Sequence, residues 1–283
     1  MNTLWQDLKA AGRTTAAITW PVTVGAPITW NLPEVFDKRQ GGSMDLAAIA
    51  KKSTPGLIEE VTAKNPSFPQ QWMDDRTRTL ATRFLIKEKH PAFLALHLVD
   101  LDAEEHETKP FSPESKAILE YSDELLGQIM ADLPRATTLV VVSDHGFASI
   151  EKTIHPSPGK ITGSILTAAD AKEAAELDRQ SHDPSSGIGR RIPSSEWSRF
   201  MPGVPEPAAV YEPADGFLFS TTGDGKPKEP GVHGLWPGRP MYRSVFIAWG
   251  PGIKPAALPE LQMTEIYQRL KALLKLRSEA FSK

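Results

Sequence analysis

The 283-residue chain contains no cysteine. That absence excludes a disulfide framework, a thiol nucleophile and any zinc site built on sulfur, so a metal held by this chain must sit on His, Asp and Glu. Long apolar runs are lacking too. None approaches the ~20 residues that span a bilayer, so no membrane-spanning helix is expected. Charge of one sign is equally scarce: 32 Lys and Arg face 35 Asp and Glu, a net charge of -3. Near balance removes any bulk electrostatic reason to coat nucleic acid or an anionic membrane. The N-terminus has neither a basic n-region nor an apolar h-region, so no signal peptide is visible. What is present is 40% hydrophobic and 24% charged residues, with 25 Pro and 20 Gly. This is the composition of a folded α/β enzyme with long ordered loops.

The apolar pattern sets out the elements. Thr3 to Gly12 reads as a short amphipathic helix closed by glycine, and Thr14 to Trp20 as a buried strand. Helical composition returns near 55–64 and 75–90, the latter carrying Leu80, Phe84 and Leu85 and stopping before Pro91. Phe93 to Val99 is a continuous apolar strand. A long helix from Pro113 to Leu133 sets Ile118, Leu119, Leu125, Leu126 and Ile129 on one face, and Thr138 to Ser143 is a fully buried strand. This β-α-β-α-β order predicts a mostly parallel central sheet with helices on both faces. Residues 150–232 are rich in turn signals, with a helix near 168–180, and read as an elaboration beside the sheet. A strand at 244–249 and a helix at 264–276 close the chain.

Two strand ends carry acid and imidazole together: Asp100-Leu101-Asp102-Ala103-Glu104-Glu105-His106 and Ser143-Asp144-His145-Gly146. Residues just beyond the carboxyl ends of strands in an open sheet converge on one crevice. Imidazole and carboxylate together suit a borderline cation such as zinc. A spacing of four puts Asp102 and His106 on one side of a helix. Gly231-Val232-His233-Gly234 is a third candidate, with glycines that let the backbone approach a crowded site. Each signal alone also has an ordinary reading as a chance pair, a strand exit or a loop histidine. Together they favour a metal. His97, inside an apolar strand, reads as a core histidine; His90 and His182 as surface residues; His155 is open.

In this order, Asp102-x-x-x-His106, Val142-Ser143-Asp144-His145-Gly146 and Gly231-Val232-His233-Gly234 resemble the metal-ligand motifs of the alkaline phosphatase superfamily. The type I phosphodiesterase/nucleotide pyrophosphatase branch is the most similar. Thr3-Leu4-Trp5, Ala17-Ile18-Thr19-Trp20-Pro21 and Phe246-Ile247-Ala248-Trp249-Gly250-Pro251-Gly252 extend the resemblance over nearly the whole chain, most weakly in 150–232. It implies an alkaline phosphatase-like α/β fold and two zinc ions in the complete enzyme. Asp102, His106 and His233 would hold one; Asp144 and His145 would contribute to the other. The substrate it implies is a small phosphate ester or nucleotide, and the location periplasmic or extracellular for the full-length form. Lys109 stands where the pattern commonly has glycine.

The family also begins with a strand ending in an aspartate ligand, then a loop and helix bearing a Thr or Ser nucleophile. Neither role is filled here, so 1–283 is expected to be a single, N-terminally incomplete catalytic domain without its first strand. Nothing marks Thr23 or Ser43 as a substitute nucleophile. The alternatives are an inactive remnant binding one metal through Asp102, His106 and His233, and a sulfatase or phosphomutase relative.

Overall fold

In the computed structural model, which describes residues 2–35, 45–68 and 73–276, the first helix, α1 (Leu4–Ala10), opens with a capping box. Gln6 N–H donates to the Thr3 hydroxyl, while the Gln6 side-chain oxygen accepts from Thr3 N–H. Gly12 follows at φ 67, as the helix stop requires. Then come β1 (Thr15–Ile18), β2 (Trp30–Leu32), α2 (Leu46–Ala50), α3 (Leu57–Lys64), α4 (Asp75–Phe84) and β3 (Phe93–Leu96). Next are α5 (Asp100–Thr108), α6 (Pro113–Asp132), β4 (Leu139–Val142), β5 (Ala148–Ile154), β6 (Lys160–Thr162) and β7 (Ile165–Ala168). The order ends with α7 (Ala171–Ser181), β8 (Ile188–Arg191), α8 (Ser194–Phe200), β9 (Ala209–Pro213), β10 (Gly216–Phe219), β11 (Gly231–Val232), β12 (Phe246–Trp249) and α9 (Ile266–Leu273). No described helix is long and apolar enough to cross a membrane.

The chain divides into two compact units. The first comprises Met1–Asp100, Leu119–Val140 and Ala248–Lys283; the second, Leu101–Ile118 and Val141–Ile247. In the first, β2-β1-β3 form a parallel sheet in which Ala16 pairs with Leu94 and Ala17 with Ala95. All four β1 residues are buried, so both sheet faces are covered, as their unbroken apolar run predicts. Ala16, Ile18, Leu32, Leu94 and Leu96 pack with Ile49, Leu57, Val61 and Ala81 on one face. On the other, Trp5 of α1 meets Phe93, ring centroids 5.4 Å apart.

A polar knot joins α4 to the turn after β3. The buried Asp75 carboxylate accepts from the backbone N–H of Val99 at 2.8 Å and of Asp100 at 3.1 Å. In return Asp100 accepts from Asp75 N–H at 3.0 Å. Arg78, also buried, bonds Asp75 at 2.6 Å and neutralises the pair. Burial first, then the neighbouring Asp75 charge, raises the Asp100 pKa.

Several expectations need correction. The helix expected over 75–90 changes to a π-helical turn at Leu85–Lys89. Leu119 is 55% exposed although Leu125 and Ile129 are buried, because it lies about 120° round the helix from Leu125. His97 sits just past β3 rather than within it, with Nδ1 3.7 Å from Glu34. β4 is half-buried throughout rather than fully buried, since it belongs to a two-stranded sheet with β12. The expected α/β class with parallel pairing holds in β2-β1-β3, while among the described residues β4 pairs with β12 in a separate sheet.

In the second unit, the 150–232 stretch builds an antiparallel sheet, β6-β7-β9-β8, over a core of Leu166, Leu177, Ile188, Tyr211 and Phe219. β9 is wholly buried, including Glu212, which is paired by Arg190 at 2.6 Å and by the buried Arg239. A further sheet, β10-β5-β11, pairs β10 parallel and β11 antiparallel to β5.

Candidate metal centre

All five sequence-predicted site residues lie in the second unit. The chain does turn helically after β3, and α5 places Asp102 and His106 one turn apart. β11 pairs antiparallel to the start of β5, with Gly231 opposite Ser149 and Val232 opposite Ala148. The residues flanking that pairing, His233 on one strand and the Asp144–Phe147 segment on the other, are thereby brought face to face. Two glycines make the approach possible. A Cβ on Gly231 would overlap the Glu105 carbonyl oxygen and lie 3.0 Å from the Lys109 Cα, so only glycine lets β11 press on α5. A Cβ on Gly146 would overlap the Met241 carbonyl and lie 3.1 Å from the Tyr242 Cα.

The focus is Asp102. Its Oδ1 lies 3.5 Å from His233 Nε2, 3.8 Å from His106 Nε2 and 3.8 Å from His145 Nε2. That oxygen is buried and has no hydrogen-bond partner, an arrangement that costs free energy unless something else satisfies it. The ligand atoms of Asp102, His106 and His233 all fall within 4.8 Å of one another. Ligands 2.0–2.1 Å from a tetrahedral zinc lie about 3.3–3.4 Å apart. The donor types, one carboxylate and two imidazoles, suit a zinc ion, and their separations would have to close by a few tenths of an ångström to more than about 1 Å to reach that spacing.

The imidazoles are held from behind. His106 Nδ1 donates to the Gly231 carbonyl at 3.0 Å, which leaves the unprotonated Nε2 lone pair facing Asp102, and Glu229 Oε2 lies 3.4 Å from the same Nδ1. Phe147 packs edge-on against His106 and His233, with centroids at 4.9 and 5.3 Å. The His145 and His233 rings stack at 3.9 Å. Burial, then the neighbouring His145, lowers the His233 pKa and keeps the ring neutral, the form that ligates. Burial, then the charge on Asp102, raises the pKa of Glu105.

Asp144 and His145 form a looser pair. His145 Nε2 lies 3.5 Å from Asp144 Oδ2, but the Asp144 side chain is 69% exposed. His155 is occupied elsewhere, its Nδ1 bonded to the Ser220 carbonyl at 2.7 Å and its N–H to Asp224 at 2.7 Å. Lys109 has φ 74, the left-handed conformation that glycine adopts without cost. Thr23 is buried, its hydroxyl donating to the Trp20 carbonyl at 2.7 Å. Ser43 lies outside the described residues. Sequence reasoning missed Glu229, Phe147 and the Gly231 carbonyl as supports. Only the glycine before Val232-His233 hinted at the last.

The profile described as type I phosphodiesterase / nucleotide pyrophosphatase matches residues 2–177, more than half of the chain. Among solved structures, murine ectonucleotide pyrophosphatase / phosphodiesterase 5, as an inactive variant in complex with AMP, is 18% identical with a TM-score of 0.64. That match covers 99% of this chain and 71% of that one. The human counterpart is 16% identical, with a TM-score of 0.61 and the same two coverages. Phosphonoacetate hydrolase from Sinorhizobium meliloti 1021 in complex with phosphonoformate is 16% identical with a TM-score of 0.59, covering 97% of this chain and 74% of that one. No curated protein matches. At these identities the structures show a shared α/β fold.

Proposed function

Because the chain belongs to the type I phosphodiesterase / nucleotide pyrophosphatase family, whose members are phosphoric-ester hydrolases, we propose that Asp102, His106 and His233 bind a zinc ion at which a small phosphodiester or nucleotide is held for hydrolysis. The observation that carries this reading is the buried, unpartnered Asp102 Oδ1 faced by imidazole nitrogens. When bound, the metal supplies Lewis-acid polarisation of a phosphoryl oxygen. The chain's own part is positional. Asp102 places a negative charge at the centre of the cluster. The Gly231 carbonyl fixes the His106 tautomer, and Phe147 excludes water from one side of the imidazoles. Asp144 and His145 offer two donors toward a second zinc. No nucleophile is assigned, since the Thr23 hydroxyl is committed to a backbone carbonyl.

The convergence of Asp102, His106 and His233 beside an exposed Asp144 also favours a second reading, a chain that binds one metal and does not turn over. Zinc titration together with hydrolysis of bis(4-nitrophenyl) phosphate decides between them. Two zinc ions with turnover that is lost in His106→Ala support the hydrolase, whereas one zinc without turnover supports the binding remnant. Zinc binding that survives both His106→Ala and His233→Ala sinks both readings.

A further inference from the structure

His233 sits where the chain reverses within the second unit, with Gly234 at φ 79. A β-turn would join directly the carbonyl of one residue and the N–H three residues on; here those groups are Val232 C=O and Leu235 N–H. The Tyr242 hydroxyl stands between them. It donates to the Val232 carbonyl at 3.3 Å and accepts from Leu235 N–H at 3.3 Å. The Gly234–Leu235 peptide is held from its other pole as well. Ser164, in the turn between β6 and β7, donates its hydroxyl to the Gly234 carbonyl at 2.7 Å. The peptide groups flanking His233 and Gly234 are therefore fixed by side chains outside the candidate ligand set.

Tyr242 is itself anchored. It ends a short 3₁₀ turn, Pro240–Tyr242, and its N–H donates to the Arg239 carbonyl at 3.0 Å. Arg239 is buried and bonds Glu212 at 2.5 Å as well as the Pro213 carbonyl. The phenol ring packs on Ala148, Ile150, Val232 and Leu235. Burial raises its pKa, so the hydroxyl stays protonated and can donate and accept at once. The same residue presses on the other ligand segment: the backbone of Met241 and Tyr242 lies against Gly146, next to His145, closely enough to exclude a Cβ there.

We infer that Tyr242 is a positioning residue for the metal centre, its hydroxyl fixing the His233 turn while its backbone spaces that turn from the Asp144–His145 segment. It acts through the peptide groups around His233. The inference rests on the proposed function, in which His233 ligates zinc, and its geometric part is read without the metal.

Tyr242→Phe removes the hydroxyl and keeps the ring and the backbone contacts. Tyr211→Phe is the control, deleting a hydroxyl of the same unit that bonds the Ala174 carbonyl at 3.1 Å and Asp178 at 2.6 Å. Two readouts are compared with wild type: amide hydrogen exchange in zinc-free protein, and zinc affinity by competition with a chromophoric chelator. In Tyr242→Phe the Leu235 amide should exchange about tenfold faster and zinc affinity should fall about tenfold or more. Tyr211→Phe should leave zinc affinity within about twofold. Unchanged Leu235 exchange in Tyr242→Phe overturns the inference, as does zinc affinity within about twofold of wild type. An equal loss of zinc affinity in both variants overturns it too, because general destabilisation would then account for the effect. Absence of zinc binding by wild type overturns the metal reading and the inference with it, and is told apart because the defect then precedes any substitution.

Discussion

Gly231→Ala tests whether the contact between β11 and α5 sets the metal geometry. The new Cβ would lie 2.9 Å from the Glu105 carbonyl carbon and 3.0 Å from the Lys109 Cα, besides overlapping the Glu105 oxygen. Carbon atoms rest at about 3.5–4.0 Å and the overlap with the Glu105 oxygen is more severe than either carbon contact, so strand and helix must part by roughly 1 Å or more. Zinc sites tolerate about 0.2 Å in each ligand distance. His233 follows the strand while Asp102 and His106 ride on the helix, so the displacement opens the donor set and stretches the His106–Gly231 hydrogen bond. The expected costs are about 1–3 kcal/mol in stability from overpacking and a loss of roughly 10–100-fold in zinc affinity from the disturbed support. Thermal melts in chelator read the first, and competition titration against a chromophoric chelator reads the second. Gly234→Ala is the control. Its Cβ meets open space, although φ is 79, so it carries backbone strain of about 1 kcal/mol without moving α5, and its zinc affinity should fall far less. A folded Gly231→Ala protein that binds zinc within about twofold of wild type would refute the reasoning.

Other consequences are accessible to routine measurement. Asp75→Ala removes the acceptor for two backbone donors and leaves Arg78 buried without its closest partner; a loss of about 3–5 kcal/mol in denaturant titrations is expected, and a loss below 1 kcal/mol would contradict the knot's role. Lys109→Gly relieves a left-handed backbone and should raise stability by about 1 kcal/mol, with an unchanged or lowered melting temperature as the contrary result. The Asp7 carboxyl is held below its ordinary range by hydrogen bonds from Lys271, then Tyr267, which dock α9 on α1. A depressed acid contributes stability that is fully present above its unfolded pKa and lost as pH falls through the lower folded value. The stability difference between wild type and Asp7→Asn should therefore shrink as acidification passes below about pH 4; a difference that persists unchanged would exclude that linkage.

The local parts of the fold were legible because they depend on neighbours in sequence. The capping box at Thr3, the glycine stop at Gly12 and the helical turn carrying Asp102 and His106 can all be read within a few residues. The burial of β4 could not, because its apolar run does not say how many strands flank it. β9 escaped notice because its Glu212 spoils an apolar pattern, and the residues that neutralise it, Arg190 and Arg239, come from distant segments. The site followed the same division. Its ligands were marked by residue type and spacing, whereas Glu229, Phe147 and the Gly231 carbonyl acquire their roles only through contacts that folding creates, such as the bond from His106 to a residue 125 positions away.

The reciprocal bonds between Asp75 and Asp100 have a consequence for how order spreads through the chain. Each residue satisfies backbone donors at the other's end: Asp75 serves Val99 and Asp100, and Asp100 serves Asp75. Neither terminus is complete until both exist, so the start of α4 and the turn leading into α5 form and open as one cooperative step. Amide protons of Asp75, Val99 and Asp100 should exchange with a common opening free energy despite their separation in sequence. The end of β3 and the start of α4, 24 and 25 positions apart in sequence, are thus held to one another by bonds that neither can make alone.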